Sequence, residues 1–306
     1  MAKTQTYTKI NTLYKRYKNL NKVELPNPAW KAFQNKVMIG CYSDDYMEYI
    51  RDLQFDCFSK IDGTNTKIVF YPSTGECFYG GKTDAAELKQ HDKVMPSIVE
   101  KIAPKLREMF PVESARFVPV MNDKNQIEAK AYLGQGLVNA TMTGTFDKTG
   151  QFIVTTEESP IYIYGELYGP GVQKGGHYGD TLRFAVFDIC QQGWFLPIGM
   201  LTEMCNNLGL DMAPYIGQMN ISQAEALVRL GFKTKVENAK DPDYIEEGIV
   251  ARPVVPIKDP RGKRIIVKIK YCDYHELDEV IKKVGSAEYL KFNKWYNENL
   301  ETIENL

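Results

Sequence analysis

The 306-residue chain has almost no net charge, its 38 lysines and arginines set against 39 aspartates and glutamates for a formal −1 at pH 7. It therefore lacks the global basic field that advertises nucleic-acid binding, and any contact with a polyanion has to come from local patches. Cysteine and histidine are sparse. Cys41, Cys57, Cys77, Cys190, Cys205 and Cys272 contain no Cys-x-x-Cys pair, and only His91, His177 and His275 can join them, so neither a zinc site nor a disulfide framework is expected. No run is apolar for long enough to span a bilayer, and Met1 to Leu20 carries lysines where a secretory leader has an apolar stretch. Internal repeats and low-complexity segments are missing too. With 43% hydrophobic and 25% charged residues, what remains reads as a soluble globular protein in a reducing, cytoplasmic setting. The length suits one large or two ordinary domains.

The stretch Lys60-Ile61-Asp62-Gly63-Thr64-Asn65 stands between two strand-like runs. Phe55-Asp56-Cys57-Phe58 before it alternates as a half-buried strand does, and Thr66-Lys67-Ile68-Val69-Phe70-Tyr71 after it is rich in β-branched and aromatic residues. Lys60 is thus expected at a strand end entering a turn, with Gly63 supplying the positive φ of a tight reversal. A lysine there can reach a phosphate, and neighbouring cations or desolvation can free its amine for attack. Taken alone, a lysine before a turn reads first as a surface residue.

Upstream, Lys9, Lys15, Arg16, Lys18 and Lys22 interleave with Tyr7, Tyr14 and Tyr17, a mixture that serves either a solvated packing arm or a nucleic-acid contact. A helix is expected over Asp44 to Leu53. Downstream, Glu76 to Gly81 reads as a hairpin return ending on Lys82, which can converge with Lys60. The apolar positions Val94, Ile98, Val99, Ile102, Leu106 and Met109 follow helical spacing, with Pro104 as a kink or break. Residues 115–164 read as strands with turn signals at Asn122-Asp123, Gly134, Gly144 and Lys148-Thr149-Gly150. They end in an aromatic strand carrying Glu166, a carboxylate that needs a partner such as a ligand hydroxyl or a lysine.

Leu182 to Ile189 reads as a buried strand before a Gln191-Gln192-Gly193 turn, and residues 200–231 read as a pair of helices, with Ser222 placed to cap. Two further strands follow, one opening at Glu246 and one ending at Lys270. Lys268 and Lys270 share a strand face opposite Ile265, Val267 and Ile269, which suits either an anion lying opposite or an edge strand guarded by charge. From Asp273 the pattern is helical to the C-terminus, and the 36 residues after Lys270 are too few for a five-stranded OB barrel.

In order and rough spacing, Lys60-x-Asp62-Gly63, Gly165-Glu166-Leu167-Tyr168-Gly169, Phe184-x-x-Phe187-Asp188, Glu247-Gly248-Ile249-Val250 and Lys268-x-Lys270 resemble the motif series of the covalent nucleotidyltransferase superfamily of ligases and capping enzymes. Gly63-Thr64-Asn65 and Gly169-Pro170-Gly171 most resemble the ATP-dependent RNA ligases of the bacteriophage RNA ligase 2 type. The resemblance covers Phe55 to Tyr271. It implies an α+β nucleotidyltransferase (ATP-grasp-like ligase) fold of antiparallel sheets flanked by helices, with ATP between the sheets and no OB domain. The expected domains are a helical, basic segment at 1–54, the adenylyltransferase at 55–272 and a short helical tail at 273–306.

The resemblance further implies that Lys60 attacks ATP to form a lysyl-AMP, passes AMP to an RNA 5′-phosphate, and lets a 3′-hydroxyl displace it. Lys268 and Lys270 would hold the α-phosphate, Glu247 a Mg2+ or Mn2+ ion, Glu166 the ribose hydroxyls and Phe187 the adenine. Ile61 and Lys82 would also contact the nucleotide, and Asn65 would act in the joining step. Lys82 stands where related ligases often place arginine, and Ser59 where RNA ligases of this type commonly carry an acidic residue that reads the adenine amino group. The expected partner is a nicked RNA or RNA/DNA duplex, met by the basic residues Lys258, Arg261, Lys263 and Arg264, with no membrane. A DNA ligase, a GTP-using capping guanylyltransferase and a non-catalytic nucleic-acid-binding relative are the competing readings.

Overall fold

The computed structural model describes residues 7–72, 74–82, 91–110, 115–121, 127–133, 139–146, 152–156 and 160–306, the stretches within 115–156 by their strands alone. The chain divides into two compact units, one of Thr8–Asp62 with Pro214–Leu306 and one of Met1–Tyr7 with Gly63–Ala213. Both are mixed α and β. Their sheets are antiparallel except for two short parallel pairings. Among the described residues, no helix is long and apolar enough to cross a membrane.

In the first unit a five-stranded sheet runs in the order Asn11–Thr12, Val267–Lys270, Gly248–Pro253, Phe55–Ser59, Tyr215–Met219. Strand alternation sends Phe55, Cys57, Ile249, Ala251, Val267 and Ile269 to one face, where Ile221, Ala224 and Val228 of the helix Ile221–Leu230 close the core. The strand Phe55–Ser59 is buried on both faces rather than half-buried, because Arg252 lies over the Phe58 ring at 4.4 Å and Asp56 accepts hydrogen bonds from Tyr215 and Gln218. Val267–Lys270 is no guarded edge. It pairs with Gly248–Pro253 on one side and with Asn11–Thr12 on the other.

Two helical expectations need correction. The helix over Asp44–Leu53 is a single turn, Met47–Ile50, and the rest of the described N-terminal segment holds short strands and the 3-10 helix Pro28–Phe33. The helical reading of 200–231 is interrupted by the strand Tyr215–Met219. The following helix is capped by Asn220, in a reciprocal box with Gln223, so Ser222 lies inside it. At the C-terminus, helices Tyr271–Val284, Ser286–Glu298 and Leu300–Glu304 pack Leu277, Phe292, Tyr296 and Ile303 with Tyr17, Leu20, Trp30 and Phe33 of the N-terminal segment.

The second unit carries a sheet ordered Trp194–Phe195, Arg183–Gln191, Ile161–Tyr168, Thr64–Tyr71, Glu76–Gly81, with Asp211–Met212 alongside Arg183–Gln191. Helices Met95–Met109 and Ile198–Leu208 cover one face, meeting Ile68, Phe70, Ile161, Ile163, Leu167, Phe184, Val186 and Ile189. Pro104 lies within the first of these helices and does not end it. The Gln192-Gly193 turn has positive φ at both residues, 51° and 79°, as a tight hairpin requires. A separate four-stranded meander spans Ala115–Met121, Ile127–Leu133, Asn139–Phe146 and Phe152–Thr156. Gly144 sits inside its third strand opposite Val154, not in a turn. The turn signals at Asn122-Asp123, Gly134 and Lys148-Thr149-Gly150 lie outside the described residues.

Candidate active site

The two units present two polar sheet faces, each opposite a packed core. In the first unit, Lys60 follows directly on the strand Phe55–Ser59, and its N–H donates to the Gly248 carbonyl at 2.9 Å. That bond ties the lysine to the start of the neighbouring strand, where Glu247 lies. Gly248 has a φ of +150°, and a Cβ there would run into the Ile269 carbonyl. Only glycine lets the Lys-x-Lys strand approach so closely. Gly248 pairs with Lys270, so Glu247 is delivered between two lysines: it pairs with Lys60 through Oε2 and with Lys270 through Oε1 at 2.5 Å.

The titration of this cluster follows from its composition. Burial pushes the Glu247 carboxyl up, and the charges and hydrogen bonds of Lys60 and Lys270 outweigh it, leaving the carboxyl below its ordinary value. Burial works against the charge on Lys270, but the bond to Glu247 prevails and raises its proton affinity. Lys268, half-buried, is lowered first by burial and then by repulsion from Lys270, Lys60 and Arg16. A near-neutral chain has thus gathered cations around one carboxylate. Such a cluster is suited to receive an anion.

Ile61 is buried immediately after the lysine. Gly63 carries no positive φ, contrary to the turn expected there; a Cβ would instead strike the Leu167 carbonyl and come within 2.8 Å of the Glu166 side chain. Close packing, not turn geometry, requires this glycine.

On the face of the second unit's sheet away from its helices, Asn65 lies directly opposite Glu166, and Glu166 opposite Ala185. Phe187 is the extra residue of a bulge, since Tyr164 pairs with Asp188 and Gly165 with Val186. Alternation from the buried Phe184 and Val186 sends Phe187 away from the core, half-buried, and the bulge brings Asp188 to the same side; Phe184 is buried against Gly165, whose Cβ would collide with its ring. Tyr7 packs edge-on against Phe187 at 5.0 Å and donates its hydroxyl to the buried Asp188. Lys82 is exposed just beyond the strand Glu76–Gly81.

The structure therefore gathers Lys60, Glu247, Lys268 and Lys270 on one unit, and Asn65, Glu166 and Phe187 on one sheet of the other. Lys82 belongs to the second unit, so the expected convergence with Lys60 is not described. Sequence reading placed Tyr7 only in a packing arm or nucleic-acid contact and gave no separate role to Asp188 or Lys67. The last is the buried lysine of the described residues, two positions from Asn65 on the same strand face and flanked by Gly80 and Tyr164. The strand period of two contained that signal. Among the described residues, no group of three or more His, Cys, Asp or Glu side chains is placed to hold a metal ion.

A family model described as RNA ligase matches residues 55–270. Among solved structures, a lysine-to-alanine mutant of Naegleria gruberi RNA ligase with ATP and Mn is 12% identical, with a TM-score of 0.44, covering 76% of this chain and 54% of that one. The same ligase with PPi is 13% identical with a TM-score of 0.43, covering 75% and 54%. A glutamate-to-alanine mutant with AMP and Mn gives 12%, 0.44, 77% and 55%. The chain spans about half the length of these structures.

Proposed function

Since this chain belongs to the RNA ligase family, we propose that it is an ATP-dependent RNA ligase of the RNA ligase 2 type, built on a nucleotidyltransferase fold over residues 55–272. The observation that carries this reading is Glu247 held between Lys60 and Lys270, with Lys268 alongside. It supplies an amine nucleophile within a set of phosphate-binding charges.

Lys60 Nζ leaves Glu247, gives its ammonium proton to water, and attacks the α-phosphorus of ATP with the lone pair so freed. A P–N bond forms, the bond to the β-phosphate oxygen breaks, and pyrophosphate departs with the electron pair. An oxygen of an RNA 5′-phosphate then attacks the same phosphorus and Lys60 leaves, regenerating the amine. Finally a 3′-hydroxyl attacks the activated 5′-phosphate, forming the phosphodiester and releasing AMP. Lys268 and Lys270 neutralise charge on the α-phosphate throughout the first step, since phosphoryl transfer depends chiefly on positioning and electrostatics.

Glu166 takes the ribose hydroxyls, Phe187 stacks on adenine, Ile61 and Lys82 complete the nucleotide contacts, and Asn65 serves the joining step. Glu247 is the carboxylate available to a Mg2+ or Mn2+ ion, whose other ligands would be phosphate oxygens and water. That is the usual economy of Mg2+ sites and fits a cluster with a single acidic side chain. When bound, the ion supplies Lewis-acid stabilisation of the phosphate charge. The substrate is a nick in duplex RNA or an RNA/DNA hybrid, whose strands already bring the two ends together, met by Lys258, Arg261, Lys263 and Arg264.

The test is incubation with α-labelled ATP and, separately, α-labelled GTP in the presence of magnesium. The expected result is label on the protein from ATP and then a sealed nick. Label from GTP alone would turn the reading to a capping enzyme.

A further inference from the structure

The N-terminal segment lies outside the stretch that the family model matches, yet it is hydrogen-bonded to the Lys-x-Lys strand. Asn11–Thr12 runs parallel to that strand with Thr12 opposite Lys268, and Leu13 N–H donates to the Lys268 carbonyl at 3.0 Å. Three residues further on stands Arg16, in the strand Tyr14–Arg16. Its guanidinium is fixed at two points: one nitrogen meets Asp273 Oδ1 at 2.7 Å and another donates to the Asn35 carbonyl at 2.5 Å. Asp273 is buried, whereas the Arg16 side chain keeps about a third of its surface exposed. These contacts engage two of the five N–H groups that a guanidinium carries.

Across the sheet, Lys60 lies at the end of one strand, Lys268 and Lys270 lie two strands away, and Asn11–Thr12, the strand leading to Arg16, lies on their far side. We propose that Arg16 binds the pyrophosphate portion of ATP, a role that rests on Lys60 being the nucleophile. In-line displacement puts the leaving oxygen opposite the attacking nitrogen. With Lys60 on one side of the α-phosphate, the β- and γ-phosphates extend away from it, across the lysine strand and toward the N-terminal segment. As the bond to the α-phosphorus breaks, negative charge builds on pyrophosphate, and a prefixed guanidinium can meet it with two parallel N–H groups. Arg16 already contributes to the field at Lys268, lowering its proton affinity alongside the two other lysines.

The test begins with calorimetric titration of magnesium pyrophosphate into the wild type and into Arg16→Ala, Arg16→Lys and Asp273→Asn. The same proteins are then compared in lysyl-AMP formation from ATP, in its reversal by pyrophosphate, and in joining of a pre-adenylylated RNA nick. Arg16→Ala is expected to weaken pyrophosphate binding by about tenfold or more, as for a lost hydrogen bond to a charged group. It should slow formation and reversal of lysyl-AMP together and leave pre-adenylylated joining within about twofold, because that step involves no triphosphate. Arg16→Lys should recover part of the affinity, and Asp273→Asn, which retains an acceptor for Arg16, most of it.

Unchanged pyrophosphate affinity in Arg16→Ala overturns the assignment, as does a joining defect as large as the adenylylation defect. If Arg16→Ala fails to fold, Arg16→Gln decides in its place by the same binding measurement. A wild type that takes no label but binds pyrophosphate through Arg16 defeats the ligase reading and leaves this site standing. A wild type that takes label while the Arg16 variants bind pyrophosphate normally defeats this site alone.

Discussion

The two polar sheet faces use opposite materials. The face of the Thr8–Asp62 and Pro214–Leu306 unit is built from full charges: Lys60, Lys268, Lys270 and Glu247. The face of the Gly63–Ala213 unit is built from rings and hydrogen-bonding groups around few charges. It holds Phe187 against Tyr7, stacked Tyr162 and Tyr164 with planes 8° apart, and Glu166 opposite Asn65. Charges held close together in a partly buried place are expensive without an anion. An aromatic face needs no counter-ion and suits a flat, neutral ligand. The proposed function assigns phosphate and its chemistry to the first face, and the base and sugar to the second. Substitutions on the charged face should act on rate, and those on the aromatic face on nucleotide affinity.

The largest effect expected is at Lys60. Lys60→Ala removes the proposed nucleophile and should abolish protein labelling from α-labelled ATP, while joining of a pre-adenylylated nick is retained. Label persisting on another lysine would break the contrast at once.

Glu247→Gln is next. It keeps the shape and removes the charge shared by Lys60 and Lys270, so lysyl-AMP formation at limiting magnesium should fall by about 10²-fold, on the scale of a lost transition-state electrostatic contact. The pH dependence sharpens this. Because the folded-state carboxyl lies below its unfolded value of about 4.3, its contribution to stability is present above that value and is lost as pH falls through the folded one. The stability difference between wild type and Glu247→Gln, measured by denaturant titration, should therefore shrink on acidification. At the alkaline end, Lys268 has a lowered proton affinity that Glu247 partly restores. It should lose its charge below the ordinary lysine value of about 10.4, and ATP binding should weaken there, at a still lower pH in the variant.

Much of this division was legible from residue order, for identifiable reasons. The pairing of Lys268 with Lys270 on one face needs only the strand period, and that period holds in the observed burial of Val267 and Ile269. What failed were features set by neighbours distant in the chain. Phe55–Ser59 looked half-buried because nothing local announces that Arg252 lies over Phe58. Strand alternation does send Phe184 and Phe187 to different faces, but past the bulge it is shifted, so that Asp188 joins Phe187 beside Tyr7, and no local pattern marks that shift. Gly63 read as a turn glycine although its constraint is the backbone of Leu167, about a hundred residues away. Glu247 could be linked to Lys60 only through the resemblance of the motif series, since the two are 187 residues apart. Arg16 was visible as one basic residue among several; a two-residue parallel pairing next to it is too short to leave a pattern.

On the aromatic face, Phe187→Ala should raise the KM for ATP with little change in kcat. Base stacking on an aromatic ring is worth about 1–3 kcal/mol, which corresponds to roughly 5- to 150-fold in affinity. A fall in kcat with unchanged KM would place Phe187 in the chemistry and erase the distinction between the faces.

The smallest effect expected is at Tyr7, where the same face can be divided into ring and hydroxyl. Tyr7→Phe leaves the ring edge against Phe187 and Tyr164 but removes the hydroxyl that donates to Asp188, a carboxylate with only 1% of its surface exposed. Losing a hydrogen bond to a buried charged group costs about 1.5–3 kcal/mol of stability, so urea denaturation should register the change plainly. Nucleotide affinity should move less, by about two- to fivefold in KM, because Phe187 keeps its neighbour and loses only the anchor that fixes that neighbour's position. The rate of lysyl-AMP formation at saturating ATP should not move, since Tyr7 belongs to the unit that does not carry Lys60, Lys268 or Lys270. A variant with wild-type stability and a slowed saturating rate would contradict both halves of this reasoning, and would mean that the aromatic face takes part in the chemistry as well as in holding the base.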